Sequence, residues 1–108
     1  MTAAAETLAI PTTWGVLHAG LEQRRPIRAS YHGRLRVICP HAIGWKNGRA
    51  KVLVFQTAVI GAPSSDPFGW RLMFVDEIED AVISDDHWRT ADNYTPHTTG
   101  IDTLSAAI

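Results

Sequence analysis

The chain has 108 residues, 45% of them hydrophobic and 19% charged, and a formal net charge of −1. This length leaves room for one hydrophobic core, and this composition excludes global disorder. The single cysteine, Cys39, excludes an intrachain disulfide. No stretch approaches the roughly 20 apolar residues of a membrane span, and the N-terminus lacks the basic region of a secretory signal. We therefore predict a cytoplasmic protein without a membrane partner.

The first predicted element is a helix of about three turns. Residues 1–10 are small and weakly patterned and are predicted to form a flexible tail. Pro11 and Thr12 form a helix-start signal, because a threonine hydroxyl accepts a hydrogen bond from a free backbone N–H group. Apolar residues then recur at helical spacing at Trp14, Leu17 and Leu21. The helix is expected to end by Arg25, since the residue before a proline is pushed out of helical geometry.

A β-hairpin is predicted after the helix, because the apolar period changes to two at Ile27. A tight turn is expected at Gly33–Arg34 and a second strand from Leu35 to Cys39. Pro40 is expected to break the ladder and to mark a bend or an edge, since proline has no N–H group to donate. Three arginines are predicted to converge on the outer side of this hairpin: Arg28, Arg34 and Arg36.

The remaining strands complete a mainly β fold. Asn47–Gly48 is a strong hairpin signal, and the hydrophobic run 50–56 after it is predicted to be a central strand. A loop over residues 60–69 and two strands, Trp70–Val75 and Ile78–Ile83, follow. We predict a helix followed by a small five-stranded SH3/Sm-like barrel over residues 11–84, with residues 85–108 packed on it as an extended C-terminal arm.

Charge is distributed unevenly along the chain. Eight of the ten Lys and Arg residues lie between Arg24 and Gln56, with no Asp or Glu among them. Arginine offers a planar fork that suits phosphate, and aromatic rings beside it can stack on bases. We therefore predict a site for a nucleotide or single-stranded nucleic acid formed by Arg28, Tyr31, Arg34, Arg36, His41, Trp45 and Arg71.

The acidic half of the chain supports an alternative interpretation. Nine Asp and Glu residues lie between residues 66 and 102, where the only Lys or Arg residues are Arg71 and Arg89. The arginines could pair with the acidic segment 76–86 of the same chain or of another copy. The alternative function is a homo-oligomeric interaction module with no small-molecule ligand.

Motifs for enzyme chemistry are missing from the sequence. Cys39 and His41 are two residues apart, but two potential ligands without a second pair are a weak metal signal. No nucleophile elbow, phosphate-binding glycine loop or paired-carboxylate motif surrounds the serines or Cys39. We expect a non-enzymatic protein without a metal or another cofactor.

The middle of the chain resembles a WYL domain. The resemblance extends from Leu21 to Ser84 and rests on motifs in a fixed order: Arg24-Arg25, Tyr31-His32-Gly33, Pro40-His41, Ile43-Gly44, Val52-Leu53-Val54 and Trp70-Arg71. It implies a small barrel that senses a ligand or binds nucleic acid in a bacterial regulator. Two positions depart from the family pattern, because Lys51-Val52-Leu53 replaces the Trp-Tyr-Leu tripeptide and Glu77 replaces an arginine.

Overall fold

The computed structural model describes residues 12–61, 68–91 and 100–108. Its only helix in these ranges, α1, spans Thr13–Gln23. Thr12 caps it by accepting a hydrogen bond from the Gly15 N–H at 3.0 Å, and Arg24 ends it in the left-handed region with φ 51°. The prediction of this helix is confirmed, while the predicted tail 1–10 lies outside the described residues.

The strands form one antiparallel sheet. In chain order they are β1 (Ile27–Tyr31), β2 (Arg34–Lys46), β3 (Arg49–Val59), β4 (Gly69–Phe74), β5 (Ile78–Ile83) and β6 (Thr103–Ala107). Their order across the sheet is β4-β3-β2-β1-β5, and β6 also pairs with β2. The mainly β class is therefore confirmed, with β6 as a strand beyond the five that were predicted.

The long strand β2 organises the sheet. β3 pairs along one edge of β2. Along the other edge, β1 pairs with residues 34–38 and β6 pairs with residues 42–45. The prediction that Pro40 breaks the ladder is wrong for the pairing with β3, because β2 continues through it, but neither β1 nor β6 pairs with residues 39–41 of β2, so among the described strands Pro40 does lie at a local edge. A register shift between Pro40 and Ala42 instead leaves His41 as an extra, bulged residue. At Gly44 a side chain would collide with the carbonyl oxygen of Thr103, so glycine allows β6 to approach.

The sheet curls until its two outer strands approach each other. β4 and β5 lie at opposite ends of the strand order, yet only a 3₁₀ turn, Val75–Glu77, connects them. Three residues span at most about 10 Å. The Tyr31 hydroxyl accepts a hydrogen bond from the Phe74 N–H at 3.2 Å and so links β1 to β4. No ladder joins β4 to β5 within the described ranges, so the sheet is not closed and the predicted barrel is not confirmed.

The two faces of the sheet are covered by different elements. Helix α1 packs on one face, here called the helix face, whose core includes Leu21, Ile27 and Val52. On the opposite face lies the segment 84–91, here called the strap. The strap belongs to the predicted C-terminal arm, and so does β6, whereas residues 92–99 lie outside the described part of the chain.

The arrangement of the first hairpin corrects one prediction. The turn residues are His32 and Gly33, with φ 51° and 77°, and Tyr31 pairs with Arg34. Directly paired residues point to the same face of a sheet, so Arg34 and Arg36 share the helix face with Tyr31. Arg28 points to the strap, and the predicted convergence of all three arginines on one side is wrong.

Among the described residues, no helix is both long and apolar enough to cross a membrane.

Candidate functional site

Three arginines meet at one end of the helix face. Arg34 pairs with Tyr31, and Arg36 lies two residues further along β2 on the same face. Arg71 pairs with Val54, a core residue of the helix face, and therefore points the same way. Arg34 is exposed, whereas Arg36 and Arg71 are half-buried. We call Arg34, Arg36 and Arg71 the arginine cluster.

Arg36 is held in place by its neighbours. Its Nε and Nη2 atoms donate to the Tyr31 carbonyl oxygen at 3.2 and 3.0 Å, and its Nη1 donates to Gln56 Oε1 at 3.0 Å. The guanidinium carbon lies 5.4 Å from the centroid of the Tyr31 ring. A guanidinium has five N–H groups, and three are used here, so two remain for another acceptor.

Arg71 is positioned by the strand that carries it. Its Nη1 donates to the Trp70 carbonyl oxygen at 3.0 Å. The guanidinium folds over Gly69, where a side chain would come within 2.6 Å of Nη1. Gly69 also has φ 147°, a conformation that favours glycine. The glycine at the start of β4 therefore leaves the space that the Arg71 side chain occupies.

The charges of the cluster repel one another. Burial, followed by the charge of Arg71, lowers the pKa of Arg36, and Arg34 adds to the effect. In the part of the chain that the structure describes, no carboxylate pairs with any of the three arginines. A group of like charges without a counter-charge favours the binding of an anion.

Most other basic residues of the central stretch already have acidic partners. The pairs and their N–O distances are Arg25–Asp85 (2.8 Å), Arg28–Asp86 (2.7 Å), Lys46–Asp102 (3.8 Å) and Arg49–Asp76 (2.6 Å). Three basic residues outside the cluster have no carboxylate partner among the described residues: Arg24 at the helix end, Lys51 over the Phe74 ring, and Arg89 over the Phe68 ring. They lie on three different elements.

Tyr31 supports the cluster and has little free surface of its own. It is 8% exposed, and its hydroxyl is engaged by Phe74. The His32 ring stacks on it with centroids 4.0 Å apart. The predicted role of Tyr31 as a stacking surface for a base therefore competes with contacts that the ring already makes.

Arg28 lies on the opposite face, where it fastens the strap. Its Nε and Nη2 donate to the two carboxylate oxygens of Asp86 at 2.7 and 3.2 Å. Asp86 also accepts a short hydrogen bond from the Ser84 hydroxyl. The Arg28 and Ser84 hydrogen bonds lower the pKa of Asp86 to about 2. The charge of Arg28 is therefore already balanced.

His41 lies under the strap with 1% of its surface exposed. Its Nδ1 contacts the Cys39 carbonyl oxygen and its Nε2 the Thr90 hydroxyl, both at 2.7 Å. Because a carbonyl only accepts, Nδ1 carries the proton and Nε2 accepts from Thr90. The Trp88 ring stacks on the imidazole at 5.0 Å, and burial lowers the pKa of His41. Both ring nitrogens of His41 are therefore engaged within the protein.

Trp45 lies at the far end of β2 from the cluster. It is 45% exposed and stacks on Trp14 with centroids 5.4 Å apart. The two rings line an open cleft of about 500 Å³ together with Val75, Asp76 and Ile78. The seven predicted ligand-binding residues therefore fall into three places, and only Tyr31, Arg34, Arg36 and Arg71 come together.

Sequence reasoning missed two residues of the site, Gln56 and Gly69. Gln56 is 2% exposed and orients the Arg36 side chain. Gln56 was predictable from the sequence, because it continues the alternating positions of Val52 and Val54 on the buried face of the strand but has a polar side chain. A buried amide group needs a hydrogen-bond partner. Gly69 gave no comparable signal, because it lies at the end of a glycine- and proline-rich loop.

In comparisons with known proteins, no family model, no curated protein and no solved structure matched the chain. In the described ranges, no group of three or more His, Cys, Asp or Glu residues is arranged to hold a metal ion.

Proposed function

We propose that this chain is a non-enzymatic ligand-binding module that binds the phosphate groups of a nucleotide or of single-stranded nucleic acid through Arg34, Arg36 and Arg71. The observation that carries the proposal is the meeting of these three arginines at one end of the helix face without a carboxylate among the described residues. A bound phosphate would supply the missing negative charge and accept hydrogen bonds from the guanidinium groups.

Preorganisation supports the same function. Arg36 is already fixed by the Tyr31 carbonyl and by Gln56, and Arg71 by the Trp70 carbonyl. Side chains that are ordered before binding lose less conformational entropy when a ligand arrives. Arg36 and Arg71 are half-buried residues, and partial burial weakens solvent screening of their attraction for an anion.

The resemblance to WYL domains remains part of the proposal. The N-terminal helix, the curled antiparallel sheet and the three-residue connection between its outer strands fit a small barrel of the SH3 or Sm type. Under this proposal β4 and β5 face each other across the open side of the sheet, next to the hydrogen bond between Tyr31 of β1 and Phe74 of β4. A role as a cytoplasmic ligand sensor would follow from the resemblance.

Binding measurements with labelled oligonucleotides and cyclic dinucleotides at low and high salt test the function. Arg34→Gln combined with Arg71→Gln is expected to weaken binding at least tenfold, because each charged hydrogen bond contributes about 1.5–3 kcal/mol. Lys51→Gln is the matched control, since it removes one positive charge that also lacks a carboxylate partner but lies over Phe74. If no phosphate compound binds at low salt, the proposal fails.

Self-association is the second candidate function, favoured by the free side of β5. In the described part of the chain, β5 pairs only with β1, Val82 is 56% exposed, and Glu79 and Asp80 make no ion pair. A second copy could place its arginine cluster against these acids. A mass measurement of Arg34→Glu with Arg36→Glu separates the two functions. Loss of assembly supports this candidate, and loss of ligand binding at unchanged mass supports the first.

A further inference from the structure

We infer that the arginine cluster takes a small molecule with a terminal phosphate, such as a nucleoside monophosphate, and not a nucleic acid strand. The inference rests on the proposed function and narrows its ligand class. It follows from how the charges, the aromatic rings and the hydrogen-bond donors are distributed around the cluster.

Among the described residues, Arg34, Arg36 and Arg71 are the three unbalanced positive charges that lie together, whereas Arg24, Lys51 and Arg89 lie on other elements. A single strand binds along a groove of roughly 4–16 nucleotides, with basic residues following its backbone. Four basic residues that could extend the cluster are neutralised, and two of them lie at the second hairpin, where Arg49 pairs with Asp76 and Glu77 and Lys46 pairs with Asp102. Arg25 and Arg28 pair with acids near the strap. A strand leaving the cluster would therefore meet paired charges.

Aromatic platforms for successive bases are also missing around the cluster in the described residues. The Tyr31 ring is 8% exposed and contacts His32 and Arg36. Phe68 is 40% exposed and close in sequence to Arg71, but its ring already packs against Arg89. Trp45 stacks on Trp14 at the far end of β2. Base stacking contributes much of the affinity for single strands, so this surface suits them poorly.

The donors of the cluster match a phosphate monoester. Arg36 keeps two N–H groups after its three internal bonds, and Arg71 keeps four after its bond to Trp70. A terminal phosphate offers three acceptor oxygens and a charge of about −1.5 to −2 at pH 7. A backbone phosphodiester offers two free oxygens and one charge. Three arginines in one place therefore favour the monoester.

Calorimetric titration of the full chain with four probes tests the inference: inorganic phosphate, adenosine 5′-monophosphate, adenosine, and thymidine oligonucleotides of 5 and 15 residues without a terminal phosphate. The monophosphate is expected to bind and adenosine not to bind. Adding a 5′-phosphate to either oligonucleotide is expected to increase affinity at least tenfold, with no dependence on length.

Salt and pH provide independent readouts. A strand that contacts six phosphates would lose about 300-fold in affinity between 50 and 200 mM salt, because the slope for single strands is about −0.7 per phosphate. The monophosphate is expected to lose less than about tenfold, since it has no condensed counterion atmosphere. Its binding should also weaken below about pH 6, where the phosphate monoester gains a proton.

Variants assign the binding to the cluster. Arg34→Gln and Arg71→Gln are expected to weaken monophosphate binding at least fivefold each, and Lys51→Gln less than twofold, with unchanged melting temperatures as the folding control. Affinity that grows with oligonucleotide length and falls steeply with salt would overturn this inference while leaving the proposed function intact. Binding of no phosphate compound at 50 mM salt would overturn both.

Discussion

Replacing Tyr31 by phenylalanine tests whether this side chain holds the curled sheet or contacts a ligand. The change removes the hydroxyl that accepts from the Phe74 N–H at 3.2 Å and leaves the ring and the carbonyl that position Arg36. One hydrogen bond contributes about 0.5–1.5 kcal/mol to stability. We therefore expect a loss of about 1 kcal/mol in the free energy of unfolding.

Urea unfolding and amide exchange measure this loss. With a slope of about 1–3 kcal/mol per molar urea, the midpoint should fall by about 0.3–1 M. A loss of 1 kcal/mol corresponds to about fivefold faster exchange of the Phe74 amide, since 1.4 kcal/mol is a factor of ten. Thr57→Val is the matched control, because it removes a hydroxyl whose bond to the Val37 carbonyl is long, 3.4 Å. It should change stability by less than about 0.5 kcal/mol.

The phosphate titration completes the test of Tyr31. Affinity of Tyr31→Phe for the monophosphate should stay within twofold of the unaltered protein, because no contact of Arg36 is removed. A tenfold loss of affinity with unchanged stability would refute this reasoning and make Tyr31 a ligand contact.

Three further predictions concern the elements that surround the site. Gly44→Ala should destabilise the chain by about 1–3 kcal/mol, because the added methyl group would overpack against Thr103. The same change should be nearly neutral after deletion of residues 100–108. Urea unfolding of the unaltered protein, the Gly44→Ala variant, the deletion and their combination tests this. Burial lowers the pKa of His41, so the unfolded chain takes up the proton first, and stability should decline as the pH falls through the ordinary value of 6.5. His41→Asn should reduce the stability difference between pH 7.5 and 5.5, and an unchanged difference would contradict this assignment. The pKa of Asp86 is lowered from 3.8 to about 2, so its contribution is full above pH 3.8 and is lost as the pH falls through about 2. Asp86→Asn should cost about 1 kcal/mol at pH 7, allowing for solvent screening, and progressively less as the pH falls from 4 to 2 in acid-unfolding experiments.

Local sequence signals predicted the elements well because their physical causes are local. The Thr12 cap and the spacing of Leu17 and Leu21 define the helix, and both residues of the Asn47–Gly48 turn have positive φ, 51° and 78°. The hydrophobic run 50–56 lies within β3, where the buried Val52 and Val54 alternate with the less buried Leu53. Pro40 was misjudged, since a bulge at the next residue lets the strand continue.

The candidate site was predicted only in part. The choice of arginine as the binding residue type remains a prediction, and three of the four predicted arginines do lie together. Arg28 does not, because the two-residue turn His32–Gly33 pairs Tyr31 with Arg34 and so assigns Arg28 to the other face. This separation was available from strand alternation, whereas the proximity of Arg71 to Arg36 was not.

By itself, the sequence determined one helix, the two-residue periods of the main strands, the tight turns and the uneven distribution of charge. The tertiary structure alone determined which polar side chains of distant segments meet, because those partners lie far apart in the chain: Arg28 and Asp86 are 58 positions apart, and His41 and Thr90 are 49. Such contacts depend on the order and curl of the strands, which periodicity does not encode. The fold balances half of the basic residues between Arg24 and Gln56 with acids, and it leaves Arg34, Arg36 and Arg71 together without one among the residues described.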